Sequence, residues 1–341
     1  KTVQVTPYMN ASDEGIEGSS SIKDLETFFQ LIHLYFTSPR KDQALFQTYV
    51  NSQKSIMENM KSVPQNFFSD TLNKVVYGGH PWAPRMETAE TFNGLSLDRA
   101  MEIYKQVFGN ADGLHFTFVG NLDIEKIKSL IATYLGSLPS AAVEHRYNDV
   151  GLRPAKGPSK LVVKKGAAKQ SIVLVQYSSE LPYDQEKALH LNMLCDVINI
   201  KIIEKLREEM GGIYGGGING SWEKRPYQHY SLSAYFPCGP ENVDKLTAAF
   251  FDIVKGISEK GVDEKDLEKV KETLKNQYAD NIKQNDFWLD GLSRSFIEKT
   301  DPAWILAYPE KVKQTSAGQL KELCQQVLGT PNMVAVLNPE N

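Results

Sequence analysis

The sequence predicts an α+β protein built from two homologous α/β units, each a largely antiparallel sheet with helices packed on one face. Three observations predict it. Short apolar runs such as Leu161-Val162-Val163 alternate with long segments whose apolar residues recur at helical spacing. The pattern repeats itself about 220 residues further along the chain. The length of 341 residues also exceeds one ordinary core, domains commonly spanning roughly 100–200 residues.

The repeat is legible residue by residue. Gln106-Val107-Phe108-Gly109 lies opposite Gln326-Val327-Leu328-Gly329, each closing a helical rhythm at a glycine able to take the left-handed conformation of a helix end. Phe67-Phe68-Ser69-Asp70 falls against Phe287-Trp288-Leu289-Asp290, and Thr27-Phe28-Phe29 against Ala249-Phe250-Phe251. Any two helix-then-strand units look alike at this level, and that competing reading is weakened by several matches at nearly one offset.

In chain order, residues 1–7 read as a strand, and helices follow through 27–29 and after Pro39-Arg40-Lys41-Asp42. The segments around 44–62 and 266–284 read as long helical hairpins of mixed polarity with one buried stripe. Residues 95–109 read as a helix and 114–120 as a strand. Proline, glycine and small residues interrupt the pattern over 137–159, which sets a first repeat at 1–140, a linker at 141–158 and a second repeat at 159–341. The second repeat runs through strands at 160–165 and 170–177, a long helix at 184–209, strands at 215–222 and 230–236, helices over 241–300 and a last strand at 333–337. Projected back, its two opening strands and long helix would precede residue 1, so the first repeat is expected to be truncated at its N-terminus.

Composition narrows the function classes. A net charge of −4 with dispersed Lys and Arg offers no basic patch for nucleic acid. No apolar run approaches the roughly 20 residues that cross a bilayer, so no membrane span is expected, and residues 1–7 do not read as a signal peptide. Cys195, Cys238 and Cys324 are far apart and odd in number, which fits buried small side chains better than a disulfide framework.

Candidate chemistry is sparse. The six histidines, His33, His80, His115, His145, His190 and His229, include no pair spaced three or four residues apart on one helix, the spacing that aims two imidazoles at one metal. No nucleophile elbow or phosphate loop is present, and Gly215-Gly216-Gly217 lacks the following helix that a nucleotide site requires. One segment stands out, Leu206-Arg207-Glu208-Glu209-Met210-Gly211-Gly212-Ile213-Tyr214. A guanidinium and a phenol placed around such a break can both donate hydrogen bonds to a peptide carbonyl and stabilise an oxyanion. The same residues can equally serve structure, Arg207 capping a helix C-terminus and Tyr214 packing in a sheet.

Gly18-Ser-Ser-Ser-Ile-Lys-Asp-Leu-Glu26, the stretch Leu31-Ile-His-Leu-Tyr-Phe-Thr-Ser-Pro-Arg-Lys-Asp42, Phe116-Thr-Phe-Val-Gly-Asn121 and the Arg207-to-Tyr214 turn together resemble the pitrilysin and insulinase family of inverted-motif zinc metallopeptidases. The resemblance covers almost the whole chain. It implies four like domains in two halves that close around a peptide chamber, with zinc held by an H-x-x-E-H helix and a downstream Glu. Nothing here matches H-x-x-E-H, whose equivalent would precede residue 1. Glu58 resembles the downstream ligand position, yet Asn51 stands where an acidic companion is expected.

That departure, and the likeness of residues 18–42 to the second half of bacterial members, imply the zinc-free C-terminal half. Glu58 is then a vestigial ligand position. Arg207 and Tyr214 match in type, order and spacing the pair that this half contributes to substrate and transition state. The expected function is therefore non-catalytic alone: closing the peptide chamber of a zinc protease. The expected partners are a catalytic N-terminal half, on the same or another chain, and peptide substrate. Zinc belongs to that catalytic half and no cofactor to this chain; the periplasm is the expected compartment. The alternatives are a structural or assembly module, and a truncated half whose zinc motif lies upstream.

Overall fold

The computed structural model describes every residue except Ser12, His145, Arg146, Tyr214, Thr330 and Asn341. In chain order its elements are β1 (Val3–Met9), β2 (Glu14–Ser20), α1 (Leu25–Thr37), α2 (Gln43–Met60), α3 (Pro64–Val76), α4 (Leu97–Phe108) and α5 (Ile124–Leu130). There follow β3 (Ser159–Lys164), β4 (Ser171–Glu180), α6 (Gln185–Ile202), β5 (Gly217–Glu223), β6 (His229–Cys238), α7 (Val243–Lys260), α8 (Glu264–Asn281), α9 (Asn285–Glu298), α10 (Trp304–Gln314), α11 (Ala317–Val327) and β7 (Met333–Asn338). They form two compact units, one of Lys1–Asn59, Glu87–Asn148 and Gln284–Arg294, the other of Met60–Met86, Asp149–Lys283 and Ser295–Asn341.

The first unit is organised by α1. Its Leu25, Phe28, Phe29, Ile32 and Phe36 recur every three or four residues, which puts them on one face. That face meets Val5 of β1, Phe108 of α4, and Ile127 and Leu130 of α5. The strands β1 and β2 pair antiparallel from Val3↔Ser20 to Met9↔Glu14. Helix α2 buries only Val50, in keeping with a single narrow stripe.

Residues 114–120 correct the sequence reading, because they form no strand. A strand exists only by pairing with a neighbour. Its counterpart β7 lies between β3 and β4, whereas no strand neighbours 114–120 among the described residues. The segment is held by packing instead, Phe118 stacking on Phe29 with ring centroids 5.2 Å apart.

The second unit holds a five-stranded sheet in the order β3-β7-β4-β6-β5, parallel between β3 and β7 and antiparallel elsewhere. Alternation along the strands sends Val173, Val175, Tyr177, Leu232, Ala234 and Phe236 to one face, where α6, α7 and α11 cover them. Helix α6 is buried on nearly all sides, through Leu191, Met193, Leu194, Val197 and Ile198, so its sequence is apolar without a clean stripe. The opposite face presents Val163, Ile172, Met333, Ala335 and Leu337, and α3 packs on it through Phe68, Leu72 and Val76. Helices thus lie on both faces of this sheet.

Candidate functional site

The site is built at the C-terminal end of α6. The helix starts at Asp184, whose carboxylate accepts from the backbone N–H groups of Glu186 and Lys187 at 2.9 and 3.0 Å, satisfying donors a helix start leaves free. Beyond Ile202 the chain widens into a π-helical turn over Ile203–Glu209. Such turns break the regular hydrogen-bond ladder and commonly mark functional positions. Leu206 is fully buried and anchors the turn, while Arg207, one residue on, is exposed.

The turn is closed by backbone, not by the arginine. The N–H of Gly211, at φ +59°, donates to the Arg207 carbonyl at 3.1 Å, and the Gly212 N–H to that of Leu206 at 2.9 Å. These bonds satisfy the last carbonyls of the helix in the manner of a left-handed glycine cap. Lys205 is paired with Glu209 at 2.6 Å. Among the described residues the Arg207 guanidinium has no partner, which leaves five donors and a fixed charge uncommitted.

After the turn, buried Ile213 bridges antiparallel to Cys238, and β5 begins at Gly217. Tyr214, the second predicted site residue, lies outside the described residues. The glycine run serves close packing: a Cβ on Gly216, at φ +121°, would stand 2.4 Å from the Tyr235 carbonyl oxygen. One on Gly217 would stand 2.6 Å from Oδ1 of Asn199.

Asn199 was not singled out in the sequence. Its Oδ1 accepts from the Ile218 N–H at 2.7 Å, and its Nδ2 donates to the Ile218 carbonyl at 2.9 Å. The available signal was a carboxamide flanked by Ile198 and Ile200, followed 18 residues later by a glycine-opened strand.

Glu58 is exposed on α2, within the first unit. Among the described residues no group of three His, Cys, Asp or Glu side chains could hold a metal ion, so the residues present do not fit zinc. His33 and His229 place Nδ1 at 2.7 and 2.8 Å from the backbone carbonyls of Tyr134 and Tyr227, and His190 is buried. His145 lies outside the described residues. The three cysteines are free and buried, and burial pushes the thiols of Cys195 and Cys324 up to about 12 and that of Cys238 to about 11. They are protonated and inert at neutral pH. Among the described residues no helix is long and apolar enough to cross a membrane.

The chain resembles known proteins in sequence and in fold. The chain is 24% identical over 339 residues to a probable zinc protease, PqqL, of Haemophilus influenzae, covering 95% of this chain and 34% of that one. It spans about a third of the length of that relative. The solved structure of the periplasmic protease PqqL from Escherichia coli superimposes with a TM-score of 0.85 at 19% identity, over 99% of this chain and 37% of the other. A peptidase M16 inactive domain from Pseudomonas fluorescens superimposes with a TM-score of 0.79 at 14% identity, over 99% of this chain and 81% of that one. Residues 94–274, more than half of the chain and including Arg207, match the family described as the peptidase M16 inactive domain, and the protein belongs to that family.

Proposed function

We propose that this chain is the zinc-free half of a zinc metallopeptidase, closing the chamber in which a catalytic half, on the same or another chain, holds zinc and cuts peptide. The observation that carries the reading is the exposed Arg207 guanidinium, without a partner among the described residues, in the turn that follows α6, seven residues before Tyr214 in a chain of the inactive-domain family. A guanidinium and a phenol so spaced supply hydrogen-bond donors to the scissile carbonyl. The fixed charge of Arg207 stabilises the oxyanion as it forms, an interaction stronger in the transition state than in the ground state.

On this reading the two repeats, 1–140 and 159–341 with the linker 141–158, are two like domains of that half, and Glu58 is a vestigial carboxylate without a metal. The periplasm is the compartment the reading favours, in line with the description of the similar E. coli protein as a periplasmic protease.

The test is hydrolysis of a fluorogenic peptide by the peptidase that contains this chain, with Arg207→Ala and Tyr214→Phe. Expected are kcat losses of about 10-fold or more, the order found on deleting a transition-state donor, with zinc content unchanged. Arg207 is exposed and has no partner among the described residues, so its truncation leaves the melting temperature essentially where it was. Unchanged activity in both variants would make the chain scaffold only, and hydrolysis by the isolated, metal-depleted chain would overturn the non-catalytic assignment.

A further inference from the structure

We propose that Asn199 is a positioning residue for the Arg207–Tyr214 turn; the inference rests on the role assigned to that turn above. Strand β5 is the edge of its sheet, so the outward N–H and C=O of Ile218 have no neighbouring strand to pair with among the described residues. The Asn199 carboxamide takes both, accepting at 2.7 Å and donating at 2.9 Å. It behaves as one residue of an added strand, projected from a helix.

Among side chains of this length only asparagine has the donor and acceptor side by side that this pairing requires. Aspartate has no donor for the Ile218 carbonyl, and leucine has neither group. Gly217 completes the fit, since a Cβ there would fall 2.6 Å from Oδ1 of Asn199.

The clamp joins the helical run that continues to Arg207 with β5, which begins three residues after Tyr214 in the sequence. Asn199 stands eight residues before Arg207 on the same run of helix, which passes into the π-helical turn at Ile203. Ile218 stands four residues after Tyr214. Ile213 is held by the bridge to Cys238, and Ile218 by Asn199. Releasing the second tie frees the approach of β5 to α6 while the hydrophobic packing of both elements stays in place. A catalytic group displaced by about 1 Å can cost on the order of 100-fold in rate, so a tie of this kind matters to kcat even though Asn199 touches no substrate.

The experiment compares Asn199→Asp and Gly217→Ala with Arg207→Ala in the peptidase that contains this chain, reading kcat and KM on a fluorogenic peptide, melting temperature, and hydrogen exchange at the Ile218 amide. Expected are a kcat loss of about 10-fold in each clamp variant with KM within about twofold, faster exchange at Ile218, and a double clamp variant no slower than either single one. If Arg207→Ala lowers kcat while both clamp variants only lower the melting temperature, the clamp is merely structural and the inference fails alone. If Arg207→Ala also leaves kcat unchanged, the inference falls together with the reading it rests on.

Discussion

The Lys201 ammonium lies 2.6 Å from Oδ2 of Asp266, an ion pair that ties α6 to α8 at a carboxylate removed from solvent. Lys201 also meets Asp263 at 2.9 Å and Glu204 at 3.1 Å. Burial alone would lower the lysine pKa and raise that of Asp266, but the mutual attraction wins, holding the ammonium above its ordinary range and the carboxyl below its own. Both groups are therefore charged at neutral pH.

Removing the lysine strands the buried carboxylate. Breaking a buried pair from one side costs about 3–5 kcal/mol, and here about 2–3 kcal/mol is expected for Lys201→Met because Lys269 remains 3.5 Å from Asp266. Urea denaturation of Lys201→Met, Asp266→Leu and the double variant measures it. The double variant should recover much of the loss, and additive losses would show that the two residues do not act as a pair.

His190 predicts a pH dependence. It is buried on α6, and burial pushes its pKa below the ordinary 6.5 despite the nearby carboxylates of Glu186 and Asp184, with Lys311 pushing the same way as burial. The folded protein therefore keeps the imidazole neutral at a pH where the unfolded chain has bound a proton. Stability is complete above 6.5 and declines as pH falls through that value toward the lower folded pKa. Melting temperatures between about pH 5 and 8 should fall on the acid side, and His190→Leu should flatten that limb. A limb of equal slope in the variant would assign it to other groups.

Helix α3 predicts a dependence that residue numbers hide. Phe68, Leu72 and Val76 cover Val163, Ile172, Met333, Ala335 and Leu337 of the five-stranded sheet. Phe68→Ala should cost about 3–5 kcal/mol, the usual range for emptying an aromatic site in a core. A chain of residues 159–341 alone should expose that apolar face and bind a hydrophobic dye, although it contains every strand of the sheet. A stable, dye-silent 159–341 chain would show that α3 is dispensable.

Much of the second unit was legible because its signals are local. Short apolar runs in 160–165 and 170–177, an apolar run after Asp184 and the Gly211-Gly212 break each act within a few residues, and the five strands begin and end within about three residues of those predicted, while α6 passes at Ile203 into a π-helical turn that runs to Glu209. The match of Phe28 with Phe250 was legible for the same reason, and both are buried on α1 and α7. Residues 114–120 read as a strand on identical local grounds and are not one. Their apolar composition is satisfied by the stacking of Phe118 on Phe29, and pairing needs a neighbour that composition cannot supply.

The candidate site divides in the same way. Arg207 stood out because a cation before a double glycine marks a helix end, which is local chemistry. That its guanidinium does not close the helix was not legible, since whether Gly211 or the side chain does so is decided by backbone geometry. Asn199 was illegible because its partner is the backbone of Ile218, and every residue offers the same backbone groups.

By itself, then, the sequence determined the order of strands and long helices in the second repeat, the absence of an H-x-x-E-H motif from these residues and the resemblance to the family. Periodicity, turn chemistry and motif spacing are short-range properties written directly in residue types. Tertiary structure alone decided that α3 covers the five-stranded sheet, that 114–120 stays unpaired, and that a carboxamide on α6 closes the edge of β5. Those outcomes depend on which distant surfaces meet, and a meeting is settled by the area each buries and the polar groups each leaves to be satisfied.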